Sequence, residues 1–181
     1  MKGLQCRRAC AERGTDMQSP GSKIPAGRSY LFVEDSEYAA FAVLRYLLVE
    51  GRRALILSKT HPEKIAERYQ VDCPVIWIVG KPPPGSKVIT IDPQRLGRIY
   101  SLIADFVKNN PGAVVLLTGI DYLIAENDFQ AVMKTLQLAN ETVAMSNSIL
   151  LIPVSPESMQ KQEFSFLERE IPPIDINVDF L

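Results

Sequence analysis

No apolar run in this chain approaches the roughly 20 residues that a membrane-spanning helix needs. Nor does its basic start lead into the apolar stretch of roughly 7 to 15 residues of a secretory signal. Histidine occurs once, at His61, and cysteine three times, at Cys6, Cys10 and Cys73. So odd and sparse a cysteine set excludes a disulfide framework and suits a reducing, cytoplasmic setting. Zinc wants about four ligands, and Cys6 and Cys10 have no second Cys or His pair beside them, so no metal centre is expected. The formal net charge of -1 gives no bulk sign of a nucleic-acid or anionic-membrane partner.

What is present is an ordinary globular composition. The 181 residues, 46% hydrophobic and 23% charged, suffice for one domain with a real core. Residues 1–27 carry Lys2, Arg7, Arg8, Arg13 and Lys23 but few large apolar side chains. They are expected to form a flexible N-terminal segment, with Met17 a candidate natural start, ahead of a single domain over 28–181.

Five short runs are rich in branched or aromatic residues and apolar on both faces: Tyr30 to Val33, Ala54 to Leu57, Val75 to Val79, Ala113 to Leu117 and Ile149 to Ile152. Strands covered on both sides of a parallel sheet have this pattern. Trp77, in the middle of the third run, is expected in the core. Between the runs lie helical periodicities. Tyr38 to Val49 is apolar almost all round, residues 93–109 carry one apolar stripe, and Phe129, Val132, Met133 and Leu136 carry another. Thr60 with Glu63, and Asn127 with Gln130, have the spacing of capping boxes. Asp92-Pro93 and Ser155-Pro156 place a cap before a first-turn proline. The alternation predicts an α/β fold: a three-layer sandwich on a mostly parallel sheet of five or slightly more strands, joined by right-handed crossovers. Lys81 to Lys87, with three prolines, is the one long irregular loop.

Open parallel sheets bind ligands beyond the carboxyl ends of their strands. The positions to inspect are therefore Glu34, Asp35 and Ser36; Ser58, Lys59 and Thr60; Gly80 and Lys81; Thr118, Gly119 and Asp121; and Ser155 and Glu157. A phosphate-binding sheet has a glycine-rich loop with Lys and Ser or Thr after its first strand. Here that connection is Val33-Glu34-Asp35-Ser36-Glu37, without glycine or lysine and with three carboxylates. Anions of the chain itself occupy the start of the next helix, where ordinary acidic residues also belong. Nucleotide hydrolysis also needs a carboxylate at the end of a later strand to hold magnesium, and the fourth run ends instead on Thr118 and Gly119. The ligand-facing candidates are Glu34, Asp35, Ser36, Lys59, Thr118 and Asp121; a divalent cation shared by Asp35 and Asp121 is the metal alternative. His61 precedes Pro62 at a helix entry and Cys73 precedes Pro74 at a strand entry, positions of turn and packing residues. No G-x-S-x-G elbow surrounds Ser36, Ser58 or Ser155.

The string Val114 to Ile124, followed by Asn127 and Phe129, resembles the archaeal family catalogued as domain of unknown function 835. So do Gly51 with Ala54 to Lys59 and Pro62 to Ile65, Ile76-Trp77-Ile78, Ile91-Asp92-Pro93 with Leu96, and Leu151 to Pro156 with Glu163 and Leu167. The resemblance covers residues 28–170, and it departs from the family at Thr118, where an acidic residue is usual. The order of elements is also similar to RecA- and KaiC-like ATPases, whose glycine-rich loop and magnesium aspartate are missing here. The resemblance implies an uncharacterised domain, sometimes joined to signalling modules in archaea, on a degenerate P-loop scaffold.

These readings point to a non-catalytic regulatory or protein-interaction module without cofactor, and without ATPase activity. The alternatives are a small-ligand or nucleotide binder without hydrolysis, and an enzyme with an acidic site at Glu34, Asp35 and Asp121. The final residues 171–181 alternate apolar and polar, as a docking tail or a strand closing its own sheet would.

Overall fold

Tyr38 to Val49 holds a long apolar run with no glycine or proline, and it forms one helix bounded by those two residues. The computed structural model describes residues 24–33 and 37–174. In chain order the elements are β1 (Arg28–Val33), α1 (Tyr38–Val49), β2 (Ala54–Ser58), α2 (Pro62–Tyr69), β3 (Val75–Ile78), β4 (Thr90–Ile91) and α3 (Leu96–Asn109). Then follow β5 (Val114–Leu117), α4 (Ile120–Glu126), α5 (Phe129–Met145), β6 (Ile149–Val154), a 3-10 turn (Pro156–Ser158) and α6 (Lys161–Glu170).

The strands form one sheet in the order β1-β6-β5-β2-β3-β4, and every pairing is parallel. The five apolar runs are five of the strands. The sixth, β4, is two residues long, too short to leave a hydrophobic signature. The chain crosses the sheet one way from β1 to β4 and returns through β5 to β6. Crossovers of one hand that run in opposite directions place their helices on opposite faces. Accordingly α1 and α2 pack on one face, against Tyr30, Phe32, Ile56, Leu116 and Leu151. Helices α3 to α6 pack on the other, against Leu31, Leu57, Ile78, Leu117 and Ile152. The two cores make the three-layer sandwich.

Pro153 lies in a strand with neighbours on both sides, where a missing N–H is normally excluded. It is accommodated because the pairing with β5 stops at Leu151 while that with β1 continues to Val154.

Several local expectations shift. Trp77 is only half-buried, because the β3 face toward α2 is incompletely covered. Its indole N–H needs a partner and finds the Lys59 carbonyl at the rim, 3.1 Å away. The α2 cap is His61, not Thr60: Nδ1 accepts from the Glu63 N–H at 3.3 Å, while the Thr60 N–H turns to Ser58. The α5 cap is Asp128, not Asn127, whose amide donates to the Pro93 and Leu123 carbonyls. Asp92 accepts from the Gln94 N–H in a turn, and α3 begins only at Leu96. A capping box of Gln160 and Glu163 opens α6.

At the ends, packing begins no later than Ile24, which is buried, and the Gly27 N–H donates to the Ser148 carbonyl; both precede the expected boundary at 28. Residues 172–174 run parallel to β1 along its free edge. The Leu31 N–H donates to the Pro172 carbonyl, and the Ile174 N–H to the Leu31 carbonyl. Cys6, Cys10, Met17 and residues 175–181 lie outside the described residues.

Candidate functional site

From β2 the chain continues through α2 to β3 on one side; from β5 it continues through α4 and α5 to β6 on the other. Where adjacent strands part in this way, an open parallel sheet has its crevice, beyond the carboxyl ends. Two of the five sequence positions, Ser58 to Thr60 and Thr118 to Asp121, converge there because β2 and β5 are neighbours. Glu34, Asp35 and Ser36 lie outside the described residues. Lys81 is exposed in the loop that follows β3, and the Ser155 carbonyl is spent on the 3-10 turn.

The chain's own side chains fill the crevice. Ser58 and Thr118 have no solvent contact, and their hydroxyl oxygens are 2.8 Å apart. The Thr60 N–H donates to Ser58 Oγ at 3.0 Å, and the Thr118 side chain hydrogen-bonds Glu37. Each hydroxyl has one proton, so an ionised Glu37 fixes the direction of the whole chain. Thr60 N–H donates to Ser58, Ser58 to Thr118, and Thr118 to the Glu37 carboxylate. Thr118, at the position of a magnesium-binding acid, thus pairs with Ser58 on β2 and helps to hold the Glu37 carboxyl on another element.

Lys59 closes the crevice from above. Gly119 adopts the left-handed conformation, φ +80°, and a Cβ there would lie 3.0 Å from Lys59 Cδ. The lysine stem can lie across this residue only because it has no side chain. Beyond it, Lys59 Nζ meets Asp121 Oδ2 at 2.6 Å, with both side chains about a third exposed or more. An ion pair so wet adds little stability; what it fixes is position. Asp121 is therefore engaged by a cation of the chain itself, and no cluster of three or more metal-binding side chains occurs among the described residues.

By sequence Glu37 is an ordinary helix-capping acid. It stands at the α1 N-cap position but makes no side-chain cap, since its carboxylate turns to Thr118. Burial raises its pKa above the usual value; the Thr118 hydrogen bond, Lys59 and Arg68 oppose the rise, and Asp121 reinforces it. Beside it opens a groove of about 390 Å³ lined by Glu37, Thr60, Lys64, Glu67, Arg68 and Tyr69. Glu37 and Arg68 are the site residues that sequence position did not single out. Glu37 stands at the α1 N-cap position and Arg68 in the last turn of α2, and only the packing of α1 beside α2 brings them together.

The other singled-out residues have structural settings. The His61 ring meets the Trp77 ring edge-on at 4.8 Å, steadying the connection from β2 to α2. Cys73 packs against the α1–α2 core, and burial with nearby Asp72 pushes its thiol up to about 11. That is opposite to the lowered value of a nucleophilic cysteine.

A family model described as "Protein of unknown function (DUF835)" matches residues 33–171. No curated protein matches the chain. Among solved structures, a protein of Pyrococcus horikoshii OT3, described only as a structural study, superposes with a TM-score of 0.56 at 13% identity. The match covers 82% of this chain and 80% of that one. At that identity it shows a shared fold.

Proposed function

The chain belongs to the DUF835 family of proteins of unknown function, and on that footing we propose that it is a non-catalytic regulatory or protein-interaction module on a degenerate RecA-like scaffold. The observation that carries this reading is the filled crevice. Ser58 is bonded to Thr118, and Lys59 lies over Gly119 onto Asp121. A ligand there would have to displace hydrogen bonds that are already satisfied, and buried polar groups left unpaired are costly. The all-parallel sheet supports the RecA-like ancestry, and the acidic connection after β1 supports the loss of phosphate binding. The proposal places the protein in the cytoplasm with a protein partner, in archaeal signal transduction, and without nucleic acid.

The test has two parts. With magnesium and ATP at millimolar concentration, backbone resonances of Ser58, Lys59, Gly119 and Asp121 should not move, and no phosphate should be released. Affinity capture from native extract, repeated with the captured protein as bait, should return one stoichiometric partner. Saturable shifts at those four residues, or hydrolysis abolished by Asp121→Asn, would overturn the reading.

A second reading, a small-ligand binder without hydrolysis, is favoured by the groove beside Glu37. There a carboxyl of raised pKa and the cations Lys64 and Arg68 face one space. Shifts confined to Thr60, Lys64 and Arg68 on ligand addition would select it.

A further inference from the structure

The amino ends of β2 and β5 form a second concave surface at the opposite end of the strands. It is a cleft of about 630 Å³ whose lining includes Gly51, Arg52, Arg53, Asn109, Asn110 and Gly112. Consecutive residues entering a strand point to opposite faces, yet both arginines reach the same turn between α3 and β5. Arg52 Nη1 donates to the Gly112 carbonyl at 2.9 Å, and Arg53 Nη1 donates to Asn110 Oδ1 at 3.2 Å. Both acceptors are neutral. Among the described residues the ion pairs are Lys59–Asp121 and His61–Glu63, so neither guanidinium has a carboxylate partner there. Glu50, the nearest acid in sequence, is turned to the Tyr46 hydroxyl at 2.6 Å and does not line the cleft.

A guanidinium offers five N–H donors in a planar fork that matches the oxygens of phosphate. Each of these two spends one donor on a neutral oxygen, which fixes its position and leaves the rest of the fork available. The cleft has no acidic residue in its lining. Gly51 and Gly112 in its lining adopt the left-handed backbone conformation, φ +84° and +78°, that favours glycine. No heavy atom lies within 4 Å of a Cβ built on Gly51, and a Cβ on Gly112 would meet only Arg52 Nη1, at 4.0 Å. The carboxyl ends of α1 and α3 both come to this place, and their partial negative charge is one reason for arginines there; the oxygens that the two arginines meet, on the Gly112 backbone and the Asn110 side chain, are not terminal carbonyls of either helix.

We infer that this cleft is an anion site for a phosphate group or short polyphosphate, held between the Arg52 and Arg53 guanidiniums. It is separate from the filled crevice at the carboxyl ends of the strands, so it stands whether or not the proposed function does. The chemistry is the same whether the phosphate is free or part of a nucleotide.

The experiment is an amide-resonance titration of the whole chain at low salt with inorganic phosphate, pyrophosphate and tripolyphosphate, with a nucleoside triphosphate alongside. Saturable shifts are expected at Gly51, Asn109 and Gly112, stronger with more phosphates. Arg53→Ala should weaken binding at least tenfold, and Arg53→Lys less. Asn109→Asp, which removes no arginine contact but places a carboxylate in the cleft, should weaken it similarly with the melting temperature little changed. Equal affinity for tripolyphosphate and the nucleotide assigns the site to phosphate alone; tighter nucleotide binding assigns it to a nucleotide's phosphates. Shifts that do not saturate, that centre on Lys59 or Arg68, or that survive both Arg53→Ala and Asn109→Asp overturn the inference.

Discussion

Glu37 shows how one side chain ties the site to stability. Its pKa is raised in the folded protein, so between the ordinary value, 4.5 in the unfolded chain, and the higher folded value, the folded state binds more protons than the unfolded one. Stability therefore falls as pH rises through that window, and it is level below and above it as far as Glu37 is concerned. Gln cannot ionise, yet its carbonyl can still accept from Thr118. Glu37→Gln should thus gain stability relative to the wild type as pH is raised from about 4, reaching a plateau above the folded pKa. Urea denaturation at a series of pH values measures this. A stability difference that stays constant across the series would show that burial does not raise this carboxyl. The sequence shows the acid itself, in a connection crowded with acids. It does not show that Thr118, 81 positions further on by number, supplies its hydrogen bond.

At the scale of elements, periodicity gave the helices and apolar runs gave the strands, but the caps slipped. Asn127 and Asp128 are both good capping residues, whereas at α2 the favoured type, Thr60, yields the cap to its neighbour His61. Choosing between adjacent candidates depends on where the preceding chain leaves the sheet. Asn127 is held by the carbonyls of Pro93 and Leu123, which leaves Asp128 Oδ1 to accept from the Ala131 N–H at 2.9 Å. Asp128→Ala should accordingly cost about 1 kcal/mol and Asp128→Asn much less, as a lost cap predicts. Chemical denaturation of the two variants decides it, and equal losses would mean that the cap contributes charge rather than a hydrogen bond. The edge elements were the least legible. β4 is two residues long, and the segment after α6 pairs with β1 through only two backbone bonds. Ile171, fully buried in the α3–α6 core, is the anchor from which that segment reaches β1. The described part of the tail thus begins as a strand on its own sheet.

At the scale of the molecule, the two cores lie back to back on the same strands. β1, β2, β5 and β6 each send alternate side chains to the α1–α2 face and the α3–α6 face. Neither core can lose its packing while the other keeps its sheet, so unfolding should be cooperative. Fluorescence of Trp77, the one tryptophan, reports the rim of the β2–α2 connection, whereas far-UV circular dichroism reports all the helices. In urea their transitions should coincide; two separated midpoints would show that α2 and the edge strands come away first.

The sequence by itself determined the fold class, the extent of α1 and, but for its first turn, of α3, and five of six strands, because periodicity and unbroken apolar runs are local properties. It also determined that the connection after β1 is acidic and glycine-free, so the usual phosphate loop is missing whatever the packing. Only the tertiary structure decided the strand order. That order makes β2 and β5 neighbours and converts four separate candidates into a hydrogen-bonded pair, Ser58 with Thr118, and an ion pair, Lys59 with Asp121. The reason is physical: strand order and the filling of a crevice depend on contacts between residues about 60 apart in the chain, and neither composition nor periodicity carries information over that distance.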